Sequence, residues 1–210
     1  MGKAMVNLLP IGIEETIQAV MPMPQDKESW DNLNILFATS FGSIRRNKLN
    51  DFVNIKRNGK IAIKLSENDK LIGVTTCKND SQILLASKNG KAIRFSINQV
   101  RVFKGRDSSG VRGIKLLGND QVVSMSAIAD ETNEYVLSIC ENGYGKRTKV
   151  TDYRETGRGG LGVANIETSQ RNGNVVASFI VFETDQIMLV TISGQIIRIR
   201  INGNDGDNIR

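Results

Sequence analysis

Ile83-Leu84-Leu85-Ala86-Ser87-Lys88-Asn89-Gly90-Lys91-Ala92-Ile93-Arg94 spells a β-hairpin. Residues 83–87 form a short, largely apolar run that reads as a first strand. Asn89-Gly90 supplies the positive φ angles that a two-residue turn demands, and the returning strand carries a basic residue four places after the glycine. The same pattern occurs three more times. Ile35-Leu36-Phe37-Ala38-Thr39 leads to Gly42 and Arg46, Val136-Leu137-Ser138-Ile139-Cys140 to Gly143 and Arg147, and Ile187-Met188-Leu189-Val190-Thr191 to Gly194 and Arg198. Asn142-Gly143 repeats the strong turn, and Phe41-Gly42 and Ser193-Gly194 are weaker versions of it. The marker glycines lie 48, 53 and 51 residues apart, a period that indicates propeller-type blades and not a single globular core.

The rest of each repeat follows from these anchors. Strand two ends near an apolar residue at plus seven (Leu49, Ile97, Val150), with a larger one at plus ten (Phe52, Val100, Tyr153). Because the plus-ten position also accepts valine, its aromatics read as core and not as base-stacking platforms. A third strand is expected at Gly59-Lys60-Ile61-Ala62-Ile63-Lys64-Leu65 and at Gly113-Ile114-Lys115-Leu116, where apolar and polar residues alternate. Polar turns then lead to a fourth strand beginning at Leu71, Val122 and Val175. Residues 2–9 match strand three and Thr16-Ile17-Gln18-Ala19-Val20 matches strand four, so the sequence opens and closes halfway through a repeat, as if cut from a longer array. The expected division is a preceding half-blade and linker over 1–30, blades over 31–79, 80–130 and 131–182, an opening hairpin over 183–201, and a frayed Gly/Asn/Asp-rich tail over 202–210. No helix of useful length is expected. The fold class is all-β, a propeller-like array.

Charge is segregated within this frame. The net charge of +6 is modest, but the three spans 42–59, 90–113 and 143–162 hold 16 basic and 4 acidic residues, while the remainder is net negative. One arginine at plus four is ordinary surface charge. Four in register, inside cationic half-repeats, suggest a ladder facing an extended polyanion, with duplex nucleic acid the first candidate. The candidate DNA-binding set is Arg45, Arg46, Lys48, Lys56, Arg57, Lys91, Arg94, Arg101, Lys104, Arg106, Arg112, Lys146, Arg147, Lys149, Arg154, Arg158, Arg198 and Arg200. Many long cations spaced along a phosphate track suit binding that reads no bases. The ladder arginines are expected on outward strand faces, acting on affinity and not on folding.

Enzyme chemistry finds little support. The chain has no histidine, and Cys77 and Cys140 fall at non-equivalent places without metal-ligand spacing, so neither a metal nor any cofactor is expected. Gly157-Arg158-Gly159-Gly160-Leu161-Gly162 satisfies G-x-G-x-x-G, but no helix follows and no βαβ unit surrounds it. It reads as a loop of small residues whose amides approach phosphate. With no signal peptide and no run of about 20 apolar residues, a cytoplasmic protein is the default.

Gly2-Lys3-Ala4-Met5-Val6-Asn7-Leu8-Leu9-Pro10, Gly110-Val111-Arg112-Gly113-Ile114, Glu141-Asn142-Gly143-Tyr144-Gly145-Lys146-Arg147-Thr148 and Gly157-Arg158-Gly159-Gly160 resemble the C-terminal domain of the DNA gyrase A subunit over residues 2–201. The resemblance implies a β-pinwheel whose blades exchange strands with their neighbours, with double-stranded DNA wrapped around a basic rim in the bacterial cytoplasm and nucleoid. It places the end of the second blade, three whole blades and the opening hairpin of the sixth in this chain. It also implies, as partners, the remainder of gyrase A and the gyrase B subunit, with the catalytic tyrosine and the ATPase outside this chain. The family's first-blade box, Gln-Arg-Arg-Gly-Gly-Lys-Gly, is absent, and residues 156–162 resemble it only in part. The alternatives are a propeller-type protein-interaction scaffold and the related C-terminal domain of the topoisomerase IV A subunit.

Overall fold

A computed structural model of the chain describes residues 16–55, 59–105 and 108–201. The readings at residues 2–9, Lys56, Arg57, Arg106 and 202–210 lie outside that range. Each apolar run is a strand closed on its neighbour by the expected tight turn. The hairpins are β1 (Asn34–Thr39) with β2 (Ser43–Lys48), β4 (Gln82–Ser87) with β5 (Lys91–Ser96), β8 (Tyr135–Cys140) with β9 (Gly145–Lys149), and β12 (Gln186–Val190) with β13 (Ile196–Arg200). The fourth strands of the first three repeats are β3 (Leu71–Cys77), β7 (Val122–Ile128) and β11 (Val175–Val181), each antiparallel to the first strand of its own repeat. The first strand is therefore central. In the first three repeats it is covered on both faces, which is why its sequence is continuously apolar instead of alternating.

The third strands depart from expectation. Only two residues pair in each case, β6 (Val111–Arg112) and β10 (Val163–Ala164), and they pair with the hairpin of the preceding repeat. Arg112 lies opposite Ser43 on β2, and Ala164 lies opposite Lys91 on β5. The sheets accordingly run β3-β1-β2-β6, β7-β4-β5-β10, β11-β8-β9 and β12-β13. The pairing falls just before the expected strand at 113–116, and residues 59–65 form no strand at all. The reason is topological: a third strand needs the hairpin of the repeat before it, and residues 59–65 have none among the described residues.

Packing is between blades. Leu36, Ala38 and Ile44 of the first sheet meet Ile83, Leu85, Ile93, Phe95, Ile97 and Val100 of the second, and Ile114 completes this cluster. Leu84, Ala86 and Ala92 on the other face of the second sheet meet Ile128, Val136, Val150 and Tyr153. Leu137, Ile139 and Val181 pack against Ile187 and Ile201. Each blade thus depends mainly on its neighbours, as in other repeat arrays. Val100 and Tyr153 at plus ten are buried, as their recurrence implied.

Two local devices hold the geometry. Buried Asp69 accepts from Ser40 Oγ at 2.8 Å and Phe41 N at 2.9 Å, and Asp120 accepts from Ser87 Oγ at 2.6 Å and Asn89 N at 2.9 Å. These carboxylates clasp the turn before strand four to the hairpin turn of the same repeat. Gly90, at φ +78°, could not be another residue without collision: a Cβ there would lie 2.1 Å from Ile166 O, on the segment that crosses from the next repeat.

Candidate nucleic-acid interface

The arginine ladder is real in register, but its first three members point inward and only Arg198 is exposed. Arg45, Arg46 and Arg94 are all buried, at 0, 5 and 5% exposure. Arg46 Nη1 donates to Ile97 O at 3.1 Å and Val100 O at 3.4 Å, while Arg94 Nη1 donates to Val150 O at 2.9 Å and Tyr153 O at 3.1 Å. Half-buried Arg147 repeats the contact with Ile201 O at 3.1 Å. These acceptors stand seven and ten residues after the next marker glycine. In the second and third repeats a 3-10 turn, Ile97–Gln99 or Val150–Asp152, presents those carbonyls to the arginine of the blade before.

The residue eight places before the marker glycine also contacts each guanidinium, and further partners complete Arg46 and Arg94. Arg46 Nε donates to Asn34 Oδ1 at 3.0 Å and its Nη2 to Asn79 Oδ1 at 2.7 Å. Arg94 Nε donates to Gln82, and its Nη2 pairs with the Glu131 carboxylate. Arg147 instead stacks over Tyr135 at 4.8 Å. The desolvation that accompanies burial pulls the Arg46 guanidinium below its ordinary value and pushes the neighbouring Cys77 thiol up to about 11. The expectation of outward, solvated arginines fails at Arg46, Arg94 and Arg147 because the next repeat covers that face, and holds at Arg198. These three arginines staple blades together, and Arg46 and Arg94 have no free donor face for phosphate.

Arg45 is also interior. Its Nε donates to Asn47 Oδ1 at 2.9 Å, its Nη1 to Ser108 and its Nη2 to Gly105 O, and its guanidinium lies 4.8 Å from the Phe103 ring. Arg158 is half-buried: its backbone N donates to Gln99 Oε1 and its Nε to Gln99 O, both at 2.7 Å, and its Nη1 to Arg112 O at 3.0 Å. Gly159 N donates to Gly113 O at 2.6 Å, and Lys115 N donates to Gly160 O at 2.8 Å. The 157–160 loop therefore latches one repeat to the one before. Amides expected to approach phosphate at Arg158 and Gly159 are already bonded within the protein.

A different cationic set remains at the surface. Lys91, Arg101, Lys104, Arg112, Lys146, Lys149, Arg154, Arg198 and Arg200 are exposed, and Lys48 is half-exposed. Apart from the last-hairpin pair Arg198 and Arg200, these lie on second strands, on short third strands, or in the loops just after the 3-10 turns. The latch draws several of them together: Arg158 bonds the carbonyls of both Gln99 and Arg112, so Arg101 and Arg112 sit beside it. Lys115, exposed and next to the latch, belongs to the same surface and was missed because it fell within an expected strand. Arg101 stacks on Phe103 at 4.3 Å, which orders its guanidinium without burying it. Among the described residues none of these exposed cations forms an ion pair. Such a surface suits a polyanion contacted through its backbone. No helix of the described residues is long and apolar enough to cross a membrane.

Comparison with known proteins agrees with this architecture. The family described as "DNA gyrase C-terminal domain, beta-propeller" matches at residues 33–78, 81–129 and 134–182, one match per repeat. The DNA gyrase A subunit of Rickettsia bellii is 39% identical over 259 aligned residues, covering 99% of this chain and 29% of the relative. Its counterpart in Salmonella typhimurium is 38% identical, covering 96% of this chain and 22% of the relative. The chain thus spans less than a third of the length of these relatives. Among solved structures, a DNA gyrase A C-terminal domain superposes with a TM-score of 0.78 at 30% identity, covering 93% of this chain and 64% of that one. The C-terminal domain of a DNA topoisomerase IV gives 0.85 at 24% identity, covering 95% and 61%, a likeness of fold.

Proposed function

The chain belongs to the DNA gyrase C-terminal domain family, and from that premise we propose that it is a DNA-binding and DNA-wrapping module of a gyrase A subunit. The observation that carries this reading is the band of exposed, unpaired cations that follows the second strands and the loops after the 3-10 turns from blade to blade. Contacts of this kind neutralise phosphates and release counterions, and they need no base-specific geometry. Bending 20–30 base pairs costs roughly 1–6 kcal/mol, so several such contacts must act together. Strand cleavage and ATP hydrolysis are assigned to the rest of gyrase A and to gyrase B, the partners this module serves. The topoisomerase IV reading has weaker support, since the likeness there falls to 24% identity and speaks for the fold.

Titration of a random-sequence duplex across a salt series tests the proposal. Log K falls linearly with log salt, and replacing Arg101, Arg112 or Lys149 by alanine reduces the slope by about 0.9 for each phosphate no longer neutralised. The melting temperature stays unchanged in these variants. Absence of binding at low salt refutes the DNA reading and favours a scaffold whose cationic surface docks an acidic protein.

A further inference from the structure

The cations of the rim are not all held alike. At the seam between the second and third repeats three arginines are brought together, each ordered by a different device. Arg158 Nε donates to Gln99 O at 2.7 Å and its Nη1 to Arg112 O at 3.0 Å, so the side chain is tied down across the seam. A guanidinium has more donors than these contacts use, and its Nη2 has no acceptor among the described residues. The stem of Arg112 runs over Gly159: a Cβ there would lie 3.8 Å from Arg112 Cγ and Cδ. Arg101 rests on the Phe103 ring at 4.3 Å. Gln99 joins the pieces, since its Oε1 accepts from Arg158 N at 2.7 Å and its Nε2 donates to Thr156 O at 3.2 Å.

The seam before it is built differently. Phe103 N bonds Arg46 O as Thr156 N bonds Arg94 O, so the loops that follow correspond. The loop after Phe103 is gripped from inside, by Arg45 through Gly105 O and Ser108 and by Asn47 Nδ2 through Phe103 O at 2.8 Å. At the places of Arg45 and Asn47 the next hairpin carries Ile93 and Phe95, which have no donors. The loop at 157–160 is therefore fastened by its own arginine. Arg45 is fully buried in that task, whereas Arg158 is only half-buried. We propose that Arg158, Arg112 and Arg101 form a pre-ordered clamp for duplex phosphates, with Gln99 as its positioning residue; this rests on the DNA-binding reading above. A side chain ordered before binding loses less freedom on meeting its ligand. A guanidinium edge also meets phosphate as a fork, where an ammonium is a point charge. Lys91, Lys146 and Lys149 have no such supports among the described residues and add charge around the clamp.

Duplex titration across a salt series, scaled to the folded fraction from melting curves, tests this on the 210-residue chain. Arg158→Ala reduces the slope of log K against log salt by about 0.9, one phosphate contact. Arg158→Lys keeps the charge and the slope but lowers affinity at fixed salt about tenfold, the scale of one hydrogen bond to a charged group. If Arg158→Ala does not fold, Arg158→Lys decides. Gln99→Ala weakens binding several-fold in the parent chain and has no further effect on top of an Arg158 variant, a coupling that a general loss of stability does not produce. Arg158 variants that melt earlier yet bind with the parent slope and affinity make this residue a latch alone and overturn the proposal. Equal losses from Gln99→Ala in both backgrounds overturn its positioning role. If Lys149→Ala lowers the slope and the Arg158 variants change neither slope nor affinity, the DNA reading stands and the clamp falls. A parent chain that does not bind at low salt removes both.

Discussion

Truncating Arg94 to alanine separates a staple from a DNA contact. The side chain is 5% exposed and spends Nη1 on Val150 O and Tyr153 O, at 2.9 and 3.1 Å. Hydrogen bonds to a charged group contribute about 1.5–3 kcal/mol each, and buried carbonyls left without a donor cost about 1–3 kcal/mol. The Glu131 partner is 45% exposed, so the ion pair adds little once screening is counted. A loss of about 3 kcal/mol is expected. For a chain of this size that lowers the melting temperature by roughly 6–12 °C. Arg94→Lys keeps the charge but not the fork that reaches two carbonyls, and its loss is intermediate. Calorimetry of the three proteins, paired with duplex titration of the folded fraction, gives both readouts. A melting temperature unchanged in Arg94→Ala, together with a shallower salt slope, refutes the staple and returns Arg94 to the DNA surface.

Glycine substitutions sort by what lies beyond the missing Cβ. Gly143→Ala meets nothing within 4 Å and carries only the cost of positive φ, about 1–2 kcal/mol, while Gly90→Ala also collides with Ile166 O and loses clearly more in a denaturant titration. Asp120→Ala leaves Ser87 Oγ and the Asn89 amide without their acceptor, lowering stability by about 1–3 kcal/mol in the same assay. Because burial raises the Cys77 thiol from 9.0 to about 11, the folded state keeps a proton that the unfolded chain releases earlier. The stability this group contributes is complete below pH 9 and is lost between pH 9 and 11, and Cys77→Ala flattens that part of the pH profile. Native Cys77 also resists alkylation at neutral pH, and rapid modification there contradicts the burial.

Much of the fold was legible because its anchors are local. Asn-Gly turns and apolar five-residue runs at fixed distance mark each hairpin whatever surrounds it, and the fourth strands follow a polar turn in every copy. The third strands differ from expectation because alternation at 113–116 reflects Ile114 entering the neighbouring core, whereas regular strand pairing covers only Val111 and Arg112, with the hairpin of another repeat, and gives way to irregular bonds from Gly113 and Ile114 to Gly42 O. The ladder was misjudged for a related reason. A strand face that looks outward within one repeat is an inner face once the next blade is laid on it. A signal for this was present: each of Arg46, Arg94 and Arg147 is matched by Asn34, Gln82 or Tyr135 twelve places earlier, a pairing that free surface charge does not need. The pattern alone does not decide burial, because exposed Arg198 also has a polar residue, Gln186, twelve places earlier but no following blade laid over it among the described residues.

The backward donation of third strands also sets a clock on synthesis. Ser43 on β2 waits for Arg112, and Lys91 on β5 waits for Ala164, so each outer edge stays bare while about seventy further residues are made. At 5–20 residues per second the ribosome takes roughly 4–14 s over that stretch, whereas a hairpin closes in about 1–10 μs. Each blade therefore spends nearly the whole interval as a finished hairpin with an unfinished rim, and a nascent chain always carries one such rim near the tunnel exit. A slow codon run shortly after a hairpin lengthens that exposure, and one placed after the following third strand does not.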